Sequence, residues 1–123
     1  MTREKQAALK VATEFLNHYA ERDIEGLMDD MATSKPLFMM GTNDNEVFKS
    51  TRSIRASFKK DFQNMDNIRW GKRRNVHVQA APFLASVIIE MPISYQSAGK
   101  KIKTLFRYAL TLKKERGKWK ICS

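Results

Sequence analysis

From residue 68 onward the chain alternates apolar and polar residues with a period of two, interrupted only by short polar turns. This constrains the fold more than any other feature of the sequence. A period of two belongs to strands, and strands joined by two to four residues can pair only as antiparallel neighbours. The pattern predicts four strands over 68–80, 83–96, 102–113 and 118–121, with turns at Ala81-Pro82, Ser97-Ala98-Gly99-Lys100 and Lys114-Glu115-Arg116-Gly117. They should form an antiparallel meander.

The turns set a register. Centring the second turn between Ala98 and Gly99 places Tyr95 opposite Ile102, Met91 opposite Phe106 and Ile89 opposite Tyr108. Centring the last between Glu115 and Arg116 places Leu112 opposite Trp119 and Leu110 opposite Ile121. One face of the sheet is then almost wholly apolar and must be covered. The other carries Ser86, Ile88, Glu90, Ser94, Leu105, Arg107, Ala109 and Thr111, a mixture that suits a dimer interface or a wetted surface.

The cover comes from the first half. Residues 2–20 read as an amphipathic helix capped by Thr2, with Leu9, Ala12, Phe15, Leu16 and Tyr19 on one stripe. Asp23 caps a short second helix that Lys35-Pro36 ends. Residues 37–40 and 46–48 form a small hairpin around a turn at 41–45. A third helix, capped by Thr51 or Ser53, runs to about Gln63 with Ile54, Phe58 and Phe62 inward. The class is α+β, three N-terminal helices on a sheet, in one domain over 1–123.

The order of these pieces resembles the nuclear transport factor 2-like superfamily, in particular its SnoaL-like branch. The resemblance rests on Phe15-Leu16-Asn17-His18-Tyr19-Ala20, Asp23, Glu25-Gly26-Leu27, the Gly41-Thr42 turn, Ile54, Phe58, Arg107 and Gly117-Lys118-Trp119-Lys120-Ile121. It implies a cone-shaped α+β barrel in which a strongly bent sheet wraps the helices around a pocket. It also implies a homodimer through the outer sheet face. Steroid-isomerase-like members use a tyrosine on the first helix, an aspartate on the first strand and a third acid on the penultimate strand. Those positions fall on Phe15, near Met39 and near Tyr108 here, so that acid–base set is missing and turnover is left open.

The pocket candidates are Phe15, Tyr19, Met39, Phe58, Phe62, Trp70 and Tyr108, an apolar lining with tyrosine hydroxyls as polar anchors for a small hydrophobic ligand. The plainer reading is that each is core. Centring the Ala81-Pro82 turn puts Arg73 and Arg107 on either side of Glu90, as an anion site or an outer charge cluster, and turns Arg74 toward the helices. One of Arg74 and Arg107 is expected to line the pocket, where a guanidinium would meet a ligand carboxylate in a forked contact.

Charge enters last. The chain carries +10, yet residues 1–66 sum to −1 and residues 67–123 to +11. The basic runs fall mainly at turns and strand ends, and the aromatics alternate toward the core, so solvated turns are expected rather than a nucleic-acid groove; a binding module for an acidic protein or nucleic acid through this basic half is the alternative. His18 and His77 have no ligand-spaced partners, and no phosphate loop is present. No metal or cofactor is expected. A lone cysteine, Cys122, fits a reducing, cytoplasmic setting, and no stretch is apolar enough to span a membrane or act as a leader.

Overall fold

The computed structural model describes residues 1–41 and 45–123. The elements in chain order are helices α1 (Arg3–Ala20) and α2 (Ile24–Asp30), strands β1 (Met39–Met40) and β2 (Val47–Phe48), and helix α3 (Thr51–Asn64). Strands β3 (Asp66–Trp70), β4 (Asn75–Ala80), β5 (Leu84–Ser97), β6 (Lys100–Glu115) and β7 (Lys118–Ile121) follow. Residues 42–44 of the expected turn lie outside the described residues.

Each helix starts where a side-chain oxygen can take an orphan amide. Thr2 accepts from Lys5 N–H, and Asp23 accepts from Gly26 N–H. The third helix is capped one residue earlier than expected. Ser50 and Ser53 form a reciprocal capping box in which each side chain accepts the other's backbone N–H. The second helix ends at Asp30, ahead of Lys35-Pro36. There the chain turns extended: Met31 bridges Ile121, and Ala32 N–H donates to Ile121 O at 2.7 Å. Docking onto the last strand stops the helix before the proline can.

β1 and β2 make a two-stranded sheet, shorter than the expected hairpin. The five-stranded sheet runs β3-β5-β6-β7, with β4 also on β5, and every pairing is antiparallel. The β5–β6 register is as read from the sequence, with Ile89 opposite Tyr108 and Met91 opposite Phe106. The last turn differs by two residues, since Leu112 faces Ile121 and Lys114 faces Trp119. Its central pair is Arg116-Gly117, with φ of 54° and 77°, and the preceding hairpin turns on Ala98-Gly99 with φ of 52° and 76°. Two successive positive φ values match the right-handed strand twist, so these tight two-residue turns win over looser ones. A shift of two preserves the faces, which is why the apolar side was still read correctly.

The expected single strand over 68–80 is two strands. Gly71 N–H donates to Pro92 O, so Pro92 turns its backbone groups toward this edge, where its missing N–H leaves no donor for continued pairing. The ladder breaks over residues 71–74 and resumes at Asn75, opposite Glu90. The turn that follows is centred on Pro82-Phe83, one residue later than expected, which shifts the β4–β5 register by two; Ala81 N–H to Leu84 O closes it.

The sheet curls around the helices with its apolar face inward. Val87, Ile89, Met91 and Ile93 on β5 are each 5% exposed or less. With Leu112, Ile121, Leu27 and Ile54 they form the centre of the core. Each such side chain contributes roughly 1.5–3 kcal/mol by leaving water. On the outer face Ile88 and Leu105 remain exposed. Among the described residues no helix is long and apolar enough to cross a membrane.

Candidate functional site

The two faces of α1 and α3 decide what meets in the cone. Phe15 and Tyr19, four residues apart, share a face of α1, while Phe58 and Phe62 do the same on α3. Phe15 meets Phe58 edge-on at 5.9 Å between ring centres, and Tyr19 lies 5.2 Å from Phe62. Tyr19 continues to Trp70 at 6.4 Å, and Trp70 to Tyr108 at 5.5 Å. Phe106, which the pattern placed on the inner face but not among the candidates, joins Trp70 and Tyr108. Six of the expected lining residues thus form one connected aromatic cluster. Met39 packs on the same core from the β1–β2 hairpin, half-buried.

The cluster has a polar end. Tyr19 donates its hydroxyl to Asp61 Oδ2 at 2.8 Å, with Met65 Sδ at 3.5 Å. Burial lifts the Asp61 carboxyl above the ordinary aspartate range, against the lowering effect of the Tyr19 hydrogen bond. Burial, then the Asp61 charge, drives the Tyr19 hydroxyl far upward, and Tyr108 is raised by the same two causes. Both phenols are therefore neutral donors. Trp70 fixes its ring by donating Nε1–H to Leu16 O at 2.7 Å.

Asp61 stands outside the expected lining. The signal was present: Asp61 lies seven residues after Ile54 and three after Phe58, which puts an acid on the apolar stripe of α3.

The two arginines lie elsewhere. Arg107 stands on the outer face and donates Nε–H to Glu90 Oε2 at 2.6 Å, with its side chain 73% exposed. Glu90's other neighbour is Asn75, which donates to Oε1 at 2.9 Å, in place of the expected Arg73. That replacement follows from the two-residue shift of the β4–β5 register, which sets Asn75 opposite Glu90. The hydrogen bonds from Arg107 and Asn75 hold the Glu90 carboxyl below its usual range. Arg74 is exposed in the strand break and gives its backbone N–H to Glu90 O.

A second polar pair ties the helices together. His18 Nδ1 lies 2.7 Å from Oδ2 of Asp30, the one buried charged residue among those described. The Asp30 hydrogen bond raises the imidazole, and burial raises Asp30 itself. Cys122 is buried against Thr111 O, and burial pushes its thiol up, which suits packing rather than nucleophilic use. Among the described residues no three His, Cys, Asp or Glu side chains converge to hold a metal ion.

A curled antiparallel sheet closed by three helices over an aromatic interior defines the nuclear transport factor 2-like class of domains. Within it, the model of the SnoaL-like domain matches residues 9–123, and the chain belongs to that family. No curated protein matches the chain. Among solved structures, it is similar to a ketosteroid isomerase-like protein from Erwinia carotovora atroseptica, with a TM-score of 0.84 and 14% identity over 99% of this chain and 93% of that one. A candidate dehydratase of the NTF2-like family from Streptomyces avermitilis gives 0.81 and 16%, over 96% and 90%. A candidate scytalone dehydratase from Novosphingobium aromaticivorans gives 0.78 and 12%, over 95% and 78%. At such identities the likeness is one of fold.

Proposed function

We propose that this domain binds a small, largely apolar molecule in the cone between α1, α3 and the concave face of the sheet. Phe15, Met39, Phe58, Phe62 and Trp70 supply the apolar surround, and Tyr19, Asp61 and Tyr108 the polar end. The observation that carries the reading is the Tyr19–Asp61 hydrogen bond at 2.8 Å, set at the edge of an otherwise apolar aromatic cluster. The half-buried Asp61 carboxyl has acceptor capacity beyond the Tyr19 hydrogen bond, which a ligand hydroxyl can take up.

The same pair narrows the ligand. An ionised Asp61 repels a carboxylate, and Arg107, paired with Glu90, and Arg74 are both exposed. The ligand is therefore neutral, with a ring or chain for the aromatics and a hydroxyl or carbonyl for Asp61 and the phenols. The test is a thermal-shift panel of one ring skeleton bearing a hydroxyl, a ketone or a carboxylate. Ligand at about 100 times its Kd stabilises the native state by about 2.7 kcal/mol, several degrees in Tm. The hydroxyl and ketone should raise Tm, and Asp61→Asn should abolish the gain. A response to the carboxylate alone, or to none, refutes the reading.

The dehydratase and isomerase-like neighbours give a second reading, in which Asp61 moves a proton of the bound molecule. Its raised carboxyl and its phenol partner favour this over a purely structural acid. The outer sheet face, with exposed Ile88 and Leu105 beside the Glu90–Arg107 pair, is the proposed homodimer surface, tested by solution mass at rising concentration. A reducing cytoplasm is the setting that suits the single buried thiol.

A further inference from the structure

A recess opens beside Trp70, apart from the aromatic cluster. It is a cleft of about 390 Å³ between α1 and the strand break at residues 71–74. Its apolar lining comes from Leu16, Trp70 and Met91, and its polar lining from Thr13, Asn17, Lys72 and Arg73. α1 turns Phe15 and Tyr19 to the aromatic cluster and Thr13 and Asn17 to this cleft, so cluster and cleft use different faces of one helix.

The break that Pro92 imposes is what builds the cleft. Gly71 crosses so close over Pro92 that an added Cβ would lie 3.1 Å from the proline ring. The next residues leave the sheet edge toward α1, and Arg73 Nη1 comes within 3.4 Å of Thr13 Oγ1. That hydroxyl donates its own proton to Leu9 O, so its oxygen is free to accept.

Arg73 differs from the paired arginines. Arg22, Arg55 and Arg107 each meet a carboxylate, from Asp66, Glu25 and Glu90. Among the described residues Arg73 meets only a hydroxyl, and no acid lines the cleft. A guanidinium with most of its forked donors unused, a lysine beside it and an apolar floor together select an oxyanion that carries an apolar group. The volume falls in the range of small-molecule sites.

We propose that this cleft is a second binding site, independent of the cone, for a small amphiphilic oxyanion. The class is a carboxylate or phosphate monoester with one aromatic or short aliphatic substituent. The anion lies on Arg73 and Lys72, with Asn17 at its edge, and the substituent covers Leu16, Trp70 and Met91.

Amide NMR titration of the full chain tests this with phenyl phosphate, benzoate and neutral benzyl alcohol. Saturable shifts are expected at Thr13, Asn17 and Gly71 with at least one of the two anions, and none there with the alcohol. Whichever anion binds identifies the headgroup. Arg73→Gln, an exposed change, should weaken binding about tenfold, the scale of a lost charge-assisted contact. Arg73→Lys should fall between the two, and Asp61→Asn should leave the affinity unchanged. No saturable shift with either anion overturns the proposal. So does equal binding by the alcohol, or a loss that follows Asp61→Asn rather than Arg73→Gln.

Discussion

Removing the Tyr19 hydroxyl probes the polar end of the aromatic cluster most directly. The hydroxyl donates to Asp61 at 2.8 Å from a side chain that is only 9% exposed. Burial, the strongest influence on Asp61, raises its carboxyl, and the Tyr19 hydrogen bond opposes that rise. Tyr19→Phe removes the opposing effect, so Asp61 climbs further. A carboxyl raised on folding adds stability that is fully present below its unfolded value of 3.8 and is lost as pH rises through the folded value. The variant loses more over that rise than the native chain does. At pH 3 the bond joins two neutral groups, and its removal costs about 0.5–1.5 kcal/mol; at neutral pH it serves a carboxylate, and removal costs about 1.5–3 kcal/mol. Urea unfolding at acid and neutral pH should show the Tyr19→Phe penalty growing by about 1 kcal/mol, the difference of those ranges. Carbon-detected NMR of the Asp61 carboxyl should show its titration moving up in the variant. In an Asp61→Asn background the penalty should no longer vary with pH. A penalty that is flat or shrinks toward neutral pH refutes the account of Asp61.

Other outcomes follow from contacts elsewhere. Glu115 is pushed up by burial, but hydrogen bonds from Ser34 and Thr33 outweigh this and hold it at about 2. Glu115→Gln should cost about 1–3 kcal/mol at neutral pH, a penalty that fades as pH falls below 4.5 and is absent near 2, read by urea unfolding. The raised His18 predicts stability that is complete below 6.5 and declines as pH rises through the folded value; His18→Gln should flatten that decline. Ala98→Gly should raise stability by about 0.5 kcal/mol, since Ala98 sits at φ 52°, where a Cβ is strained. Ile89→Ala, at the fully buried centre of β5, should lower it by about 2–5 kcal/mol in the same assay.

Periodicity carried much of the fold because it is local. The alternation in β5 and β6 names the inward face regardless of where a turn is centred, since an error of two residues leaves every side chain on its own side. Thr2 and Asp23 were readable as caps for the same reason, each serving an amide three residues away. The stripes of α1 and α3 likewise pointed Phe15, Tyr19, Phe58 and Phe62 inward.

The missing N–H of Pro92 was visible in the sequence, but the strand edge that it would interrupt was not. That edge broke the strand at Gly71 and sent Arg73 to Thr13, while a one-residue move of the β4–β5 turn put Asn75 beside Glu90. The partner of Tyr19 is 42 residues away on another helix, so no local spacing could pair it with Asp61. The sequence by itself determined the helices, the inward face of the sheet and which aromatics belong to the interior, because these depend on short-range periodicity and the need to remove apolar surface from water. Only the tertiary structure decided which polar groups meet, because a hydrogen bond or ion pair depends on distances between elements that the packing of the whole core sets.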